Sequence, residues 1–276
     1  MGFIQDIFEY GYLGNAVIAC LLSGITCGII GTYIVARRMV FLCGGITHAS
    51  FGGLGIALYF GVNPILGAMT FAILSSLGIE YVSSREKIRE DSATGLIWGI
   101  GMAVGALFMS LRPGYTSGDL SSFLFGNIIT VTRTDVIALA ITTVVLLLAA
   151  TLWLKPIMYI AFDREFSRSA GLHTRIVSYT MSVVTAITIV LSIRIMGIVL
   201  LISLLTMPVV LVNFLSKSYT TITIWSAIVA AAAGVSGITI SYYLEVPSGP
   251  AIIFVLTIAL ILIKPLSLYI VKRVRH

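Results

Sequence analysis

Residues 37–61 read RRMVFLCGGITHASFGGLGIALYFG. Two arginines open the stretch, and the apolar run behind them is long enough to cross the ~30 Å hydrocarbon core of a bilayer as a helix. His48 stands in its middle, among glycine, alanine and aliphatic residues. Gly44, Gly52 and Gly55 lie four or seven positions from His48 and so share its helical face. A histidine at membrane depth is costly unless something pairs with it or binds it. The glycine face leaves room beside the ring, either for a packed helix or for a passing solute. From the residues alone, a pathway histidine and a hydrogen-bonded packing histidine both stay open.

The same texture runs through the whole chain. Of 276 residues, 58% are hydrophobic and 10% charged, with a mean hydropathy of +1.07. Soluble domains carry about 25% charged residues. Residues 1–276 are therefore read as one all-α, polytopic domain whose solvent is the lipid bilayer. Strand-period alternation is lacking, which argues against a transmembrane barrel. The net charge of +6 follows the two sides of a membrane and points to no nucleic-acid partner. Cys20, Cys27 and Cys43 fall in or beside apolar runs without a CxxC pair and read as packing residues. No basic region precedes the first apolar run, so no cleaved leader is expected. Asp6 stands where a myristoylation signal needs Ser or Thr.

Spans are expected at roughly 12–36, 40–60, 64–83, 92–111, 135–154, 176–193, 195–215, 222–243 and 250–270. Within 1–11, Phe3, Ile4, Ile7 and Phe8 share a face, the pattern of a short interfacial helix. FLFGNIITV, 123–131, is too short to span and reads as re-entrant or interfacial. With the N-terminus outside, fourteen of the 17 Lys and Arg fall on the cytoplasmic side, and Arg112, Arg133 and Arg194 remain outside. That alternation predicts nine spans with the C-terminus cytoplasmic. One long broken helix around Arg194 would make the count eight.

The polar segment at 156–175 is the most informative connector. Asp163 can cap a short helix, Phe166 and Ala170 share one of its faces, and Gly171 can end it. It is either an ordinary amphipathic connector or a surface pressed against a cytoplasmic partner. Small residues recur every fourth position at Gly45, Ala49, Gly53 and Ala57, and again at Gly95/Gly99 and Gly101/Gly105, as close helix packing requires. Pro208 removes a backbone bond inside an apolar run and marks a hinge or a static kink. Met196 and Met207 read as packing. Glu245, Glu80 and Arg194 lie near span ends, where solvated or snorkelling side chains are ordinary. There is no GxxxxGK[ST] loop, no intramembrane chain of acids and bases, and no selectivity-filter motif. Active transport by this chain would draw its energy from another subunit.

Four places carry a resemblance. Arg37-Arg38-Met39 with Gly45-Ile46-Thr47-His48-Ala49 and Gly53, then Phe125-Gly126-Asn127, then Phe162-Asp163-Arg164-Glu165-Phe166 with Gly171-Leu172, and finally Ser241-Tyr242-Tyr243-Leu244 with Pro247-Ser248-Gly249 follow in order along the chain. Together they resemble the membrane permeases of bacterial ABC importers for zinc, manganese and iron, the ABC-3 family. The resemblance implies a multi-pass protein of the bacterial cytoplasmic membrane that forms a pathway as a dimer, with a second copy or a close homologue. It implies an ATP-binding subunit on the cytoplasmic side, which would hold the ATP, and an extracytoplasmic metal-binding protein outside. It implies docking of the ATPase by Phe162, Asp163, Phe166, Gly171 and Leu172, and it makes His48 a candidate metal ligand. Imidazole suits zinc, manganese and iron. No permanently bound cofactor is implied, only the transported divalent metal. Glu245 is a weaker candidate for the pathway. The family commonly has an Asp four residues before the histidine, and here that position is Gly44.

The expectation is a permease subunit, not itself an enzyme, moving a divalent metal or its chelate. A stand-alone secondary transporter or channel is the competing class. The chain lacks the paired ionisable residues that such coupling uses. A non-transporting membrane scaffold is the third.

Overall fold

The structure, a computed structural model, describes residues 3–84, 89–112 and 131–274. Most of the 123–131 segment read as re-entrant lies outside the described residues, as do residues 85–88. The described chain is helical from end to end: α1 (Phe3–Glu9), α2 (Gly11–Ala36), α3 (Val40–Phe60), α4 (Pro64–Ser83), α5 (Glu90–Ser110), α6 (Arg133–Phe162), α7 (Arg164–Ser169), α8 (Thr174–Asn213), α9 (Tyr219–Leu244) and α10 (Ser248–Val274).

Local chemistry sets several ends. Gly61, with φ of 68°, closes α3 in the left-handed conformation that glycine adopts freely. Two residues later Asn63 starts α4. Its side chain accepts the Ile65 N–H at 2.9 Å, and Pro64 fills the first helical position. Thr132 and Asp135 cap the start of α6 reciprocally.

Among the described residues, eight helices are long and apolar enough to cross a membrane. Two of the nine expected spans are joined in one helix, the alternative expected around Arg194. Residues 176–193 and 195–215 belong to one 40-residue helix, α8, interrupted at Gly197 (φ 75°, ψ 171°). No run of polar residues separates the two parts. The break needs only a single residue in a backbone region open essentially to glycine alone. Pro208, expected as a hinge or a static kink, lies buried within the second part, and the interruption falls before it, at Gly197.

The two arms of α8 run in opposite senses. The ends of α2 and α4 meet where Arg37 pairs with Glu80. Against α4, Ser76 Oγ donates to the Ser182 carbonyl at 2.8 Å, while Pro64 and Ala68 share a cleft with Val190 and Arg194. The first arm is therefore antiparallel to α4 and α2. Leu205 of the second arm abuts Gly31, and Val209 and Val212 cluster with Val35, so this arm runs with α2. The α9 helix returns antiparallel to α2, so closely that a methyl placed on Gly24 would lie 2.6 Å from the Ala231 nitrogen. Thr26 and Thr143 hydrogen-bond at 2.8 Å to join α2 to α6, a contact worth roughly 1 kcal/mol in an apolar bundle.

Two ends of the bundle result. One gathers Arg37, Glu80 and Arg164. At the other, Arg194 pairs with Asp135 at 2.6 Å, and α1 packs on the end of α9. Phe3 is buried there against Tyr242, whose hydroxyl donates to Asp6. Of the face expected on α1, Phe3 and Ile7 point inward and Phe8 is 86% exposed.

Candidate functional site: the His48 helix and the α7 end

His48 sits mid-way along α3, a helix launched by an unusual turn. Arg38, with φ of 59°, reverses the chain between α2 and α3. The imidazole lies flat on the Trp98 ring of α5, with centroids 4.3 Å apart and planes 5° from parallel. Phe41 flanks the same indole at 5.7 Å. His48 Nδ1 is buried and has no hydrogen-bond partner. The indole face fixes the plane of the imidazole, and the unsatisfied nitrogen leaves a donor or ligand atom uncommitted.

The glycines around it divide into two kinds. A methyl placed on Gly44 would meet Ile202 of the second arm of α8 and Trp98 of α5, each at 3.9 Å, an ordinary contact distance. Position 44 therefore has room for a small side chain beside the His48 ring. Gly52 and Gly55 do not line open space. Methyls there would lie 2.8 Å from the Gly101 oxygen and 2.6 Å from the Gly105 oxygen, so both are packing positions that hold α3 against α5. Among the described residues, no group of three His, Cys, Asp or Glu could hold a metal ion. Glu245 caps α9 in the left-handed conformation at the exposed Asp135 end of the bundle, with no contact to His48. The three cysteines are free and buried.

At the opposite end, residues 156–162 of the expected connector continue α6 through Pro156, and the short helix follows at Arg164–Ser169. Asp163 Oδ1 accepts the Phe166 N–H at 2.8 Å and caps the six-residue α7. Gly171, at φ 83°, lets the Leu172 N–H return to the Ser167 carbonyl at 3.0 Å. Ser167 is fully buried, while Phe162 and Phe166 are 76% and 65% exposed. A rigid, doubly capped turn thus holds two phenyl rings away from the bundle.

Glu80 departs from its sequence reading. It does not snorkel: it is 1% exposed and lies between Arg164 Nη2 at 2.6 Å and Arg37 Nη1 at 3.5 Å. Arg37 also donates to the Tyr33 hydroxyl at 2.9 Å. Arg194 is tied to Asp135 and is not simply solvated. Of these functional contacts, the Thr132-x-x-Asp135 cap had a readable sequence signal. The Trp98 stack and the Glu80 pairs had none, because their partners lie on other helices.

The profile described as ABC 3 transport family matches residues 9–266. A probable metal transport system membrane protein of Chlamydia pneumoniae is 34% identical over 255 residues, covering 90% of this chain and 87% of its own. The manganese import system permease protein ScaB of Streptococcus gordonii is 28% identical over 274 residues, covering 99% and 96%. Among solved structures, PsaBC from Streptococcus pneumoniae in complex with Fab superposes with a TM-score of 0.83 at 25% identity, covering 94% of this chain and 93% of that one.

Proposed function

Since the chain belongs to the ABC 3 transport family, we propose that it is the permease subunit of an ATP-driven importer for a divalent metal ion, within the zinc, manganese and iron group. Relatives named for manganese and metal transport support the cargo class. Two copies, or one copy and a homologue, enclose the pathway in the cytoplasmic membrane of a bacterium. The Arg37 end faces the cytoplasm, and the Asp135 end faces an extracytoplasmic metal-binding protein. This orientation puts Arg37, Arg164 and the C-terminal tail on the positive side. With the two arms of α8 as separate passes, it gives nine passes, N-terminus outside.

One observation carries the reading. The α7 turn is capped at both ends and presents Phe166 outward at the cytoplasmic end, beside Phe162 at the end of α6. Exposed aromatics on a rigid element are what a separate subunit can grip. The ATP is held and hydrolysed on that subunit. His48 supplies the pathway ligand, with Nδ1 uncommitted. A chelated ion is the second reading, favoured by Gly44: with no ligand atom there, the site also suits a cargo that brings its own ligands.

The test is reconstitution of the chain with its ATP-hydrolysing partner in vesicles. ATP-dependent manganese or zinc uptake is expected. Flux down a gradient without ATP would instead establish a secondary transporter. His48→Ala at matched protein level is expected to lower uptake of the transported ion. Unchanged uptake of every ion tried would return His48 to a packing role.

A further inference from the structure

Glu80 joins two elements that the chain itself does not join. Its Oε1 accepts from Arg164, the first residue of α7, and its Oε2 faces Arg37, the residue that closes α2. Arg37 is 12% exposed and is held a second time by the Tyr33 hydroxyl. One residue on, Arg38 makes the positive-φ turn that launches α3, the helix of His48. A physical line thus runs from the docking turn through one carboxylate to the start of the His48 helix.

A buried carboxylate keeps its charge at tolerable cost only while its cationic partners stay in place. If α7 withdraws, Oε1 loses its 2.6 Å bond and Glu80 is left with Arg37 at 3.5 Å. Either the ends of α2 and α4 follow α7, or a buried charge is left half paired. Among the described residues, the other side-chain bonds of α7 are internal: Asp163 accepts from Phe166, Ser167 donates to the Asp163 carbonyl, and Ser169 donates to the Glu165 carbonyl. They make the turn rigid and leave Glu80 to connect it across the bundle.

We propose that Glu80 is a positioning residue for transport. It carries displacement of α7 to the α2–α3 turn, and so makes the His48 helix respond to the ATP-hydrolysing subunit. This rests on α7 being the docking turn.

The experiment uses the reconstituted complex and measures manganese uptake and ATP hydrolysis in the same vesicles. Wild type is compared with Glu80→Gln, Arg164→Gln and the double variant. Each single variant is expected to keep ATP hydrolysis within about twofold yet lose about tenfold or more in uptake per ATP. The double variant should be no worse than the poorer single, as for two residues acting through one contact. Arg164→Gln leaves Glu80 paired with Arg37 and removes a side chain that is 33% exposed. It therefore decides the matter alone if Glu80→Gln does not accumulate. Wild-type uptake per ATP in the single variants, or losses that multiply in the double, overturns the proposal. So does loss of the partner subunit from Arg164→Gln membranes, which would make that arginine a docking contact. Absence of ATP-driven uptake by the wild type overturns the transport reading itself, a result distinct from all of these.

Discussion

Gly31→Ala tests whether the second arm of α8 really returns along α2. A methyl on Gly31 would lie 2.9 Å from the Leu205 carbonyl carbon and closer still to its oxygen. Carbon atoms attract best at about 3.5–4.0 Å, so the two backbones must part by roughly 1 Å along their contact. Neither can yield by rotating a side chain. Leu200, Leu201 and Leu204 beside the contact are all buried, so the arm has no free space to retreat into. Overpacking of this kind costs about 1–3 kcal/mol, and the backbone-to-backbone clash puts it near 3. Alanine regains about 1 kcal/mol of helix propensity. The net loss of about 2 kcal/mol lowers the melting temperature by roughly 4–8 °C in a chain of this size. Thermal unfolding in detergent measures it, with Gly99→Ala as the control, because a methyl there meets nothing within 4 Å. A Gly31→Ala protein that melts with the wild type, beside an unharmed control, would mean that the arm does not lie on α2.

Three further outcomes follow from the same contacts. Asp135→Asn loses the ion pair with Arg194 but keeps a capping side chain. Arg194 is 45% exposed and Asp135 only 10%, so water screens the pair from one side; the cost should be about 1 kcal/mol and shrink with added salt, and a loss that salt does not change would contradict a pair that reaches solvent. Phe166→Ala should leave the melting of the isolated permease within about 0.5 kcal/mol of wild type. It should weaken co-purification of the ATP-hydrolysing partner by about tenfold or more, and undiminished co-purification would move docking elsewhere. Gly44→Asp should be accommodated, since neighbours stand 3.9 Å from the new Cβ. It adds a carboxylate one turn from His48 and should lower the apparent KM for manganese by about tenfold, taken as one charge-assisted bond. An unchanged KM would separate position 44 from the pathway.

Much of the fold is legible from residue pattern, because apolar length and punctuation are local. Asn63-Pro64 and Gly61 mark a turn, and Asp163 and Gly171 bracket a short helix without any knowledge of neighbours. The features missing from the residue pattern depend on what lies across the bundle. A carboxylate near the end of an apolar helix looks free to reach water. Only the fold brings Arg37 and Arg164 to Glu80, across 43 and 84 residues of chain. Pro208 is the obvious helix breaker in its run, yet Gly197 makes the break, because it alone takes a backbone conformation closed to its neighbours. The face shared by Gly44, Gly52 and Gly55 illustrates the same limit. Spacings of four and seven place all three beside His48, but they do not say that α5 seals two of them.

The indole beneath His48 also makes that residue observable. Trp98 is one of three tryptophans, and the other two, Trp153 and Trp225, are 58% and 54% exposed on other helices. Phenylalanine at those two positions would leave Trp98 as the sole indole emitter, with an imidazole 4.3 Å from its face. A ring that close changes the indole's excited-state lifetime when it gains a proton or a metal ion. Cargo reaching the middle of α3 would then register as an optical signal from the unlabelled protein, in the time of a stopped-flow trace. Arrival at His48 could be timed separately from ATP hydrolysis on the partner subunit.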